Sequence, residues 1–266
     1  MNQRAGQEHT RVFLSRSLDL IPLSLSPSLQ PTQSTPDLLA RLPTFRSFTR
    51  PGAGLALTLL SAASPASLPP PTAAFLFDLT ARNMAPLYAA SGFGWDPAAK
   101  ARELRHDDAR FLLAFHTADV EDGSTAAPPA LPSTALPVAF VHFRLEMEGG
   151  AATLYVYEIQ LAPAVRRQGL GKFMMLAVEL AARAGGLGRV MLTVQDGNAG
   201  AARLYERLGY GTDPTSPGPG EGPGGGDPGY RIMSKGLIAD GRVAVVSGGG
   251  GAGKVVAAAA EERVIV

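Results

Sequence analysis

The chain has 266 residues, 45% of them hydrophobic, with no cysteine, four histidines and a formal net charge of +1. Disulfides, thiolate nucleophiles and cysteine-based zinc sites are excluded at once, and a near-neutral charge with no basic run argues against a nucleic-acid surface. His9, His106, His116 and His142 lie too far apart for a local metal motif, and no apolar run approaches the roughly 18 residues that span a bilayer.

Glycine and proline gather at 20–72, 121–137, 211–229 and 247–253, so one folded domain is expected between flexible stretches. Residues 1–41 are Ser/Pro-rich and read as a disordered or targeting segment. Residues 42–237 read as the folded domain, with disordered insertions near 119–136 and 211–229, and 238–266 as a flexible Gly/Ala-rich tail. That tail contains VVSGGGGAGKVV, which resembles a phosphate-binding loop. Val255 follows Lys254, however, where such a loop needs Ser or Thr to hold magnesium.

In chain order, LALTLLSA (55–62) suits a first strand, after which Pro69 to Pro71 break the chain. Phe75 to Ser91 reads as a helix with Phe77, Thr80, Met84, Leu87 and Tyr88 facing inward, kinked or restarted at Pro86. Asp96-Pro97 supplies an N-cap and a first-turn proline for AAKARELR. RFLLAFHT (110–117) and PVAFVHFRLEM (137–147) read as paired antiparallel strands, and TLYVYEIQL (153–161) as a third. Gly169 to Gly185 has the length of a buried helix, and RVMLTVQ (189–195) is another strand. Asn198 to Leu208 forms an amphipathic helix with Ala201, Leu204, Tyr205 and Leu208 inward and Gly209 at its C-cap. GYRIMSK (229–235) returns to the sheet.

The chemistry concentrates in EIQLAPAVRRQGLGKFMMLAVELAA. A strand ends in a short turn, and a glycine-punctuated loop leads into a long helix. Gly169 and Gly171 allow backbone N–H groups to turn toward a pyrophosphate. The helix N-terminus adds its dipole, and Arg166, Arg167 and Lys172 add charge.

This R-x-x-G-x-G loop, with Asn198 and ARLYERLGY downstream, resembles the GCN5-related N-acetyltransferases. The resemblance implies an α/β (α+β) fold: a mixed, largely antiparallel sheet splayed at an acetyl-CoA site and flanked by helices. FDLTARNMAPLYAASGFGW, PVAFVHFRLEME, LYVYEIQL, VRRQGLGKF and RVMLTV are further similar to the N-alpha-acetyltransferase D subfamily, over roughly Leu42 to Gly236. That subfamily acetylates the amino termini of core histones beginning Ser-Gly-Arg-Gly. Phe93 stands where the subfamily has the first tryptophan of its W-G-W string, and Glu146 where it usually has aspartate.

The resemblance implies that acetyl-CoA is the co-substrate, held by Ile159, Gln160, Leu161, Arg166, Arg167, Gln168, Gly169, Leu170, Gly171, Lys172 and Asn198. It implies a peptide end lined by Tyr88, Trp95, Glu146, Thr193 and Tyr230, and catalysis by Glu158, Tyr157 and Tyr205. No metal is expected. It implies histone amino-terminal tails as partners, without nucleic acid, membrane or auxiliary subunit. The expected compartments are nucleus and cytoplasm, organelle targeting by the N-terminal segment being the alternative. Other protein amino termini, lysines or small amines remain alternative acceptors, and an acetyl-CoA-binding module without turnover is the alternative class.

Elementary energetics bears on the acceptor. Deprotonating an α-amine of pKa about 7.8 costs about 1 kcal/mol at pH 7, whereas a lysine near 10.4 costs about 4.6. A modest base suffices for an amino terminus. Glu158, a carboxylate inside an apolar strand, is either that base or a structural glutamate paired with an arginine. Strand alternation turns Tyr157 and Glu158 to opposite faces, so they share a pocket only if the strand bulges or splays. Tyr205 reads equally as core packing or as the acid for the thiolate. Asn198 reads as N-cap and pantetheine contact at once, while Tyr88 and Tyr230 could be ordinary half-buried aromatics.

Overall fold

The computed structural model describes residue 39 and residues 42–91, 94–120, 130–222 and 225–237. Its strands are β1 (Ser47–Arg50), β2 (Leu55–Ala62), β3 (Arg110–His116), β4 (Ala139–Glu148), β5 (Ala151–Leu161), β6 (Arg189–Gln195), β7 (Gly211–Thr212) and β8 (Tyr230–Gly236). The helices are α1 (Pro70–Ala90), α2 (Pro97–Leu104), α3 (Leu170–Ala184) and α4 (Ala199–Arg207). One sheet runs in the order β1-β2-β3-β4-β5-β6-β8-β7. Its β5–β6 pair is parallel and the others antiparallel. A parallel pair needs a crossover, which α3 supplies.

Both faces of the central strands are covered, which explains their nearly unbroken apolar runs. Phe111, Leu113 and Phe115 of β3 pack with Leu76, Leu79 and Leu104 of α1 and α2. The alternate residues Leu112 and Ala114 join Leu170, Met174 and Val178 of α3 in a second core. Period-2 alternation thus sorts one strand between two cores.

The α1 helix begins earlier than the sequence suggested. Pro70 and Pro71 occupy its first turn, where a missing N–H is no loss, and the helix continues through the exposed Pro86 without a restart. Thr72, Leu76, Leu79 and Thr80 form its buried stripe, while Phe77, Met84, Leu87 and Tyr88 are half-buried. The caps fall where expected. Asp96 accepts from Ala99 N–H at 2.9 Å, Asn198 accepts from Ala201 N–H at 3.2 Å, and Gly209 takes the left-handed conformation with φ 87°. In α4 the buried positions are Ala202 and Tyr205, with Ala201 turned partly outward.

Strand β1, where the sequence reading expects no strand, pairs with β2. Part of the expected insertion 211–229 is also tied to the sheet: β7 pairs with β8, and Ser216 Oγ accepts from Ile232 N–H at 3.0 Å. Val120, Leu131 and Ala135, which lie within the other expected insertion, near 119–136, pack on the α1/α2 core. The readings made for residues 1–38, 121–129, Phe93 and the VVSGGGGAGKVV tail lie outside the described residues.

The sheet opens where the site lies. β5 pairs with β6 only over Thr153–Val156. Beyond it, β5 stays on β4 through Leu161 and β6 stays on β8 through Gln195, so the two strands part company after Val156.

Candidate active site

A break in strand parity builds the site. Leu154 and Val156 face the α3 core, yet so do Ile159 and Leu161, so the side-chain phase flips between 156 and 159. The register shows how: His142 opposes Glu158 while Phe143 opposes Val156, leaving Tyr157 as an extra, bulged residue. Tyr157 and Glu158 thereby line one cavity of about 80 Å³, with Met84, Tyr88, Thr193, Asn198 and Tyr205 around them.

The bulge also sorts the backbone amides. Ala162 N–H donates to Val138 C=O at 2.8 Å, and hydrogen-bonded pairs alternate along an antiparallel ladder. Gln160 N–H is therefore turned to β4, while the amides of Ile159 and Leu161 point into the gap toward β6. Of the three amides expected to serve the cofactor, two face the opening.

Glu158 is held on both oxygens. Oε1 accepts from Lys100 Nζ at 2.7 Å and Oε2 from Gln160 Nε2 at 2.6 Å. The alternative of an arginine partner is thus replaced by a lysine. Lys100 also donates to Glu103 at 2.7 Å. Burial alone would lower the Lys100 ammonium pKa, but the carboxylates of Glu158 and Glu103 hold it well above the ordinary value. Burial raises Glu103 in turn, against the pull of Lys100. It pushes the Tyr88 hydroxyl up to about 12, again opposed by Lys100.

The aromatic side of the cleft is a stack. Phe111, His142 and Tyr157 lie ring on ring at 5.2 and 5.0 Å, and the Arg144 guanidinium sits 4.2 Å from the centre of the Tyr157 ring. Tyr157 donates its hydroxyl to Glu146 Oε1, and burial followed by the Glu146 charge raises its pKa. Tyr155 Oη and Thr193 Oγ1 share a hydrogen bond of 2.6 Å. Trp95 does not line the cavity; it backs Tyr88, with ring centres 5.8 Å apart. Tyr230 stands at the start of β8 opposite Gln195, outside the cavity lining.

Tyr205 is buried against Tyr210, with rings 5.9 Å apart. Burial, then the Glu158 charge, raises its hydroxyl pKa. A phenol near 10 is already a weaker acid than a thiol near 8.5, so the shift makes proton delivery to a thiolate costlier and favours packing. Asn198 caps α4 and also lines the cavity.

The loop leading into α3 suits an anion. Gly169, its N-cap, has φ 89°, Arg167 has φ 62°, and no side chain caps the helix, so its first amides are left for a ligand. Arg167 and Lys172 are exposed beside it, while Leu170 is buried and can contribute only its amide. A Cβ on Gly171 would sit 3.5 Å from Leu204 Cδ2, in ordinary contact. Gln168 is turned back, donating to Ala164 C=O at 2.9 Å. Arg166 is less free than the sequence suggested: its Nη2 donates to Asn83 Oδ1 at 2.6 Å and its Nε to Leu161 C=O at 3.0 Å. Asn83 donates to Gln160 Oε1 at 2.8 Å, so a chain of polar contacts runs from Arg166 to Glu158. Lys100, Glu103 and Asn83 are the residues missing from the sequence-derived site.

A second, apolar hollow of about 500 Å³ lies between α1, α2 and β3, lined by Leu68, Leu76, Phe77, Leu104 and Phe111. Among the described residues no group of three or more His, Asp or Glu is placed to hold a metal ion, and no helix is long and apolar enough to cross a membrane.

Residues 84–210, which hold the bulge, the loop into α3, α3 itself and α4, match the acetyltransferase (GNAT) family. The architecture is the GNAT fold, a mixed, mostly antiparallel open sheet flanked by helices. Over 55 residues the chain is 46% identical to a mycothiol acetyltransferase of Streptosporangium roseum, a match covering 21% of this chain and 16% of that relative. Among solved structures, it is similar to the PaiA N-acetyltransferase of Thermoplasma acidophilum in complex with coenzyme A, with 16% identity and a TM-score of 0.44 over 68% of this chain and 99% of that one. A similar likeness holds for Arabidopsis thaliana NAA60 with a bisubstrate analogue, at 14% identity and TM-score 0.45 over 68% of this chain and all of that one.

Proposed function

We propose that the chain is an acetyl-CoA-dependent N-alpha-acetyltransferase acting on the amino-terminal serine of core histones beginning Ser-Gly-Arg-Gly. The observation that carries the reaction class is the β5 bulge, which sets Glu158 in a cleft beside outward-facing amides and an uncapped helix N-terminus. Acetyl-CoA fits these groups: amides of the α3 first turn with Arg167 and Lys172 for its pyrophosphate, and Ile159 and Leu161 amides for acceptors along the splay.

Glu158 uses one lone pair on each oxygen for Lys100 and Gln160, leaving further acceptor sites. One of these takes the proton from the substrate ammonium, directly or through a water. The neutral amine then attacks the thioester carbon, its C–N bond forms, the C–S bond breaks, and the proton the nitrogen sheds on becoming an amide goes to the departing thiolate. For the acceptor, Glu146 keeps Oε2 for an arginine while Oε1 holds Tyr157. Tyr88 and Tyr157 wall a space suited to a small Ser-Gly terminus.

Acetylation of Ser-Gly-Arg-Gly and Ser-Gly-Ala-Gly peptides, followed by mass spectrometry of the modified atom, tests this reading. Expected is α-amine acetylation with preference for the arginine peptide. A small amine acceptor is the second reading, favoured by the local match to a mycothiol acetyltransferase. Turnover of a small aminothiol conjugate with neither peptide acetylated would establish it instead.

A further inference from the structure

A lysine buried at the floor of an acetyl-transfer cleft needs an explanation, because ammonium groups are costly to desolvate unless paired. The Lys100 side chain is 9% exposed and that of Glu158 4%. Its position follows from the local sequence: Asp96 caps α2, Pro97 opens it, and Lys100 N–H bonds back to Asp96 C=O at 3.1 Å. One turn on, Glu103 closes an i,i+3 pair with the same ammonium, and its backbone carbonyl accepts from Arg144 Nη2 at 2.6 Å. Helix α2 is thereby fastened across β4 and β5 with Nζ aimed at Glu158 Oε1.

We infer that Lys100 is a positioning residue for Glu158, fixing Oε1 so that the free lone pairs of the carboxylate face the substrate amine. This rests on the reading of Glu158 as the base. With Gln160 on the other oxygen, the plane of the carboxylate is set from two sides, so its remaining lone pairs keep a constant aim into the cleft. The other charged and titratable groups around Glu158 are Glu103 on α2, Tyr88 on α1, His142 and Arg144 on β4, and Tyr205 on α4. Lys100 is the one cation in direct contact with it among the described residues.

The test is the pH dependence of kcat/KM with the Ser-Gly-Arg-Gly peptide, measured for wild type, Lys100→Met, Lys100→Arg and the double variant Lys100→Met/Glu103→Gln. The double variant strands one buried carboxylate fewer and guards against a single variant that does not fold. Without a base the substrate amine sets the acidic limb, whereas Glu158 carries the rate below that limb, down to a second one set by its own carboxylate. Loss of an opposite charge within hydrogen-bond distance should move the second limb to higher pH by about 1 to 3 units. Lys100→Arg, still cationic, should stay near the wild-type profile, and the KM for acetyl-CoA should be unchanged throughout. A second limb unmoved in both neutral variants, with only the rate or melting temperature lowered, would overturn the positioning role. Glu158→Gln separates the two levels. If the second limb vanishes there yet does not move in the Lys100 variants, only the Lys100 role falls; if it persists there, the base reading falls with it.

Discussion

Glu158→Gln is the sharpest perturbation, because it removes a charge while keeping the shape of a side chain only 4% exposed. Loss of a general base costs about 10² to 10⁴ in rate. Part of that deficit should be recoverable. An α-amine of pKa about 7.8 is roughly one-seventh neutral at pH 7 and more than nine-tenths neutral at pH 9. The variant should therefore regain about sevenfold on the wild type if the deficit lies in supplying neutral amine. Stability should suffer less than removal of a buried ion usually implies. Lys100 keeps Glu103 at 2.7 Å, so the change costs about 1.5–3 kcal/mol for one charge-assisted hydrogen bond rather than the roughly 3–5 kcal/mol of a stranded charge. Initial rates of peptide acetylation between about pH 6.5 and 9, with a thermal melt at each pH, measure both. Wild-type turnover at pH 7 would remove the base, and a deficit undiminished at pH 9 would place its origin outside amine deprotonation.

Gly169→Ala should destabilise the fold by about 1–2 kcal/mol, since φ of 89° disfavours any Cβ although nothing lies within 4 Å of it. Gly171→Ala should leave the melting temperature near wild type and weaken acetyl-CoA binding in calorimetry, because its methyl meets Leu204 in ordinary contact yet stands at the anion loop. Burial, with Arg144, Lys100 and His106 adding to it, holds His142 well below the ordinary value of 6.5. The unfolded chain then takes a proton that the folded one refuses, so stability present above about pH 6.5 is lost as pH falls below it. His142→Phe should flatten this slope in melts from about pH 7 to pH 5, and an unchanged slope would refute the assignment. Glu146→Ala should raise KM for Ser-Gly-Arg-Gly and largely spare Ser-Gly-Ala-Gly; equal losses on the two peptides would remove the arginine contact.

How far the sequence carries is clearest where local pattern and long-range packing diverge. LALTLLSA and RVMLTVQ become β2 and β6 with the expected ends, since both are short, largely apolar runs. The bulge is legible as well: in L-x-V-x-x-I-x-L the apolar phase slips by one residue at Tyr157-Glu158, and a strand with a buried face can absorb such a slip only by bulging. The partners of Glu158 were not legible. Lys100 sits in AAKARELR, where local sequence marks only a capped helix, and its burial depends on how α2 docks against a residue 58 positions away in sequence. Arg166 shows the same limit. Beside Gly169 it reads as a phosphate ligand, but Asn83, 83 residues upstream, claims its guanidinium. Local sequence thus specifies which chemistry is present, while the helices packed across the sheet decide which groups are already engaged. Here they leave the α3 N-terminus without a side-chain cap and Arg167 and Lys172 exposed, and commit Lys100, Gln160, Asn83 and Arg166 to one chain of contacts that ends on the Glu158 carboxylate.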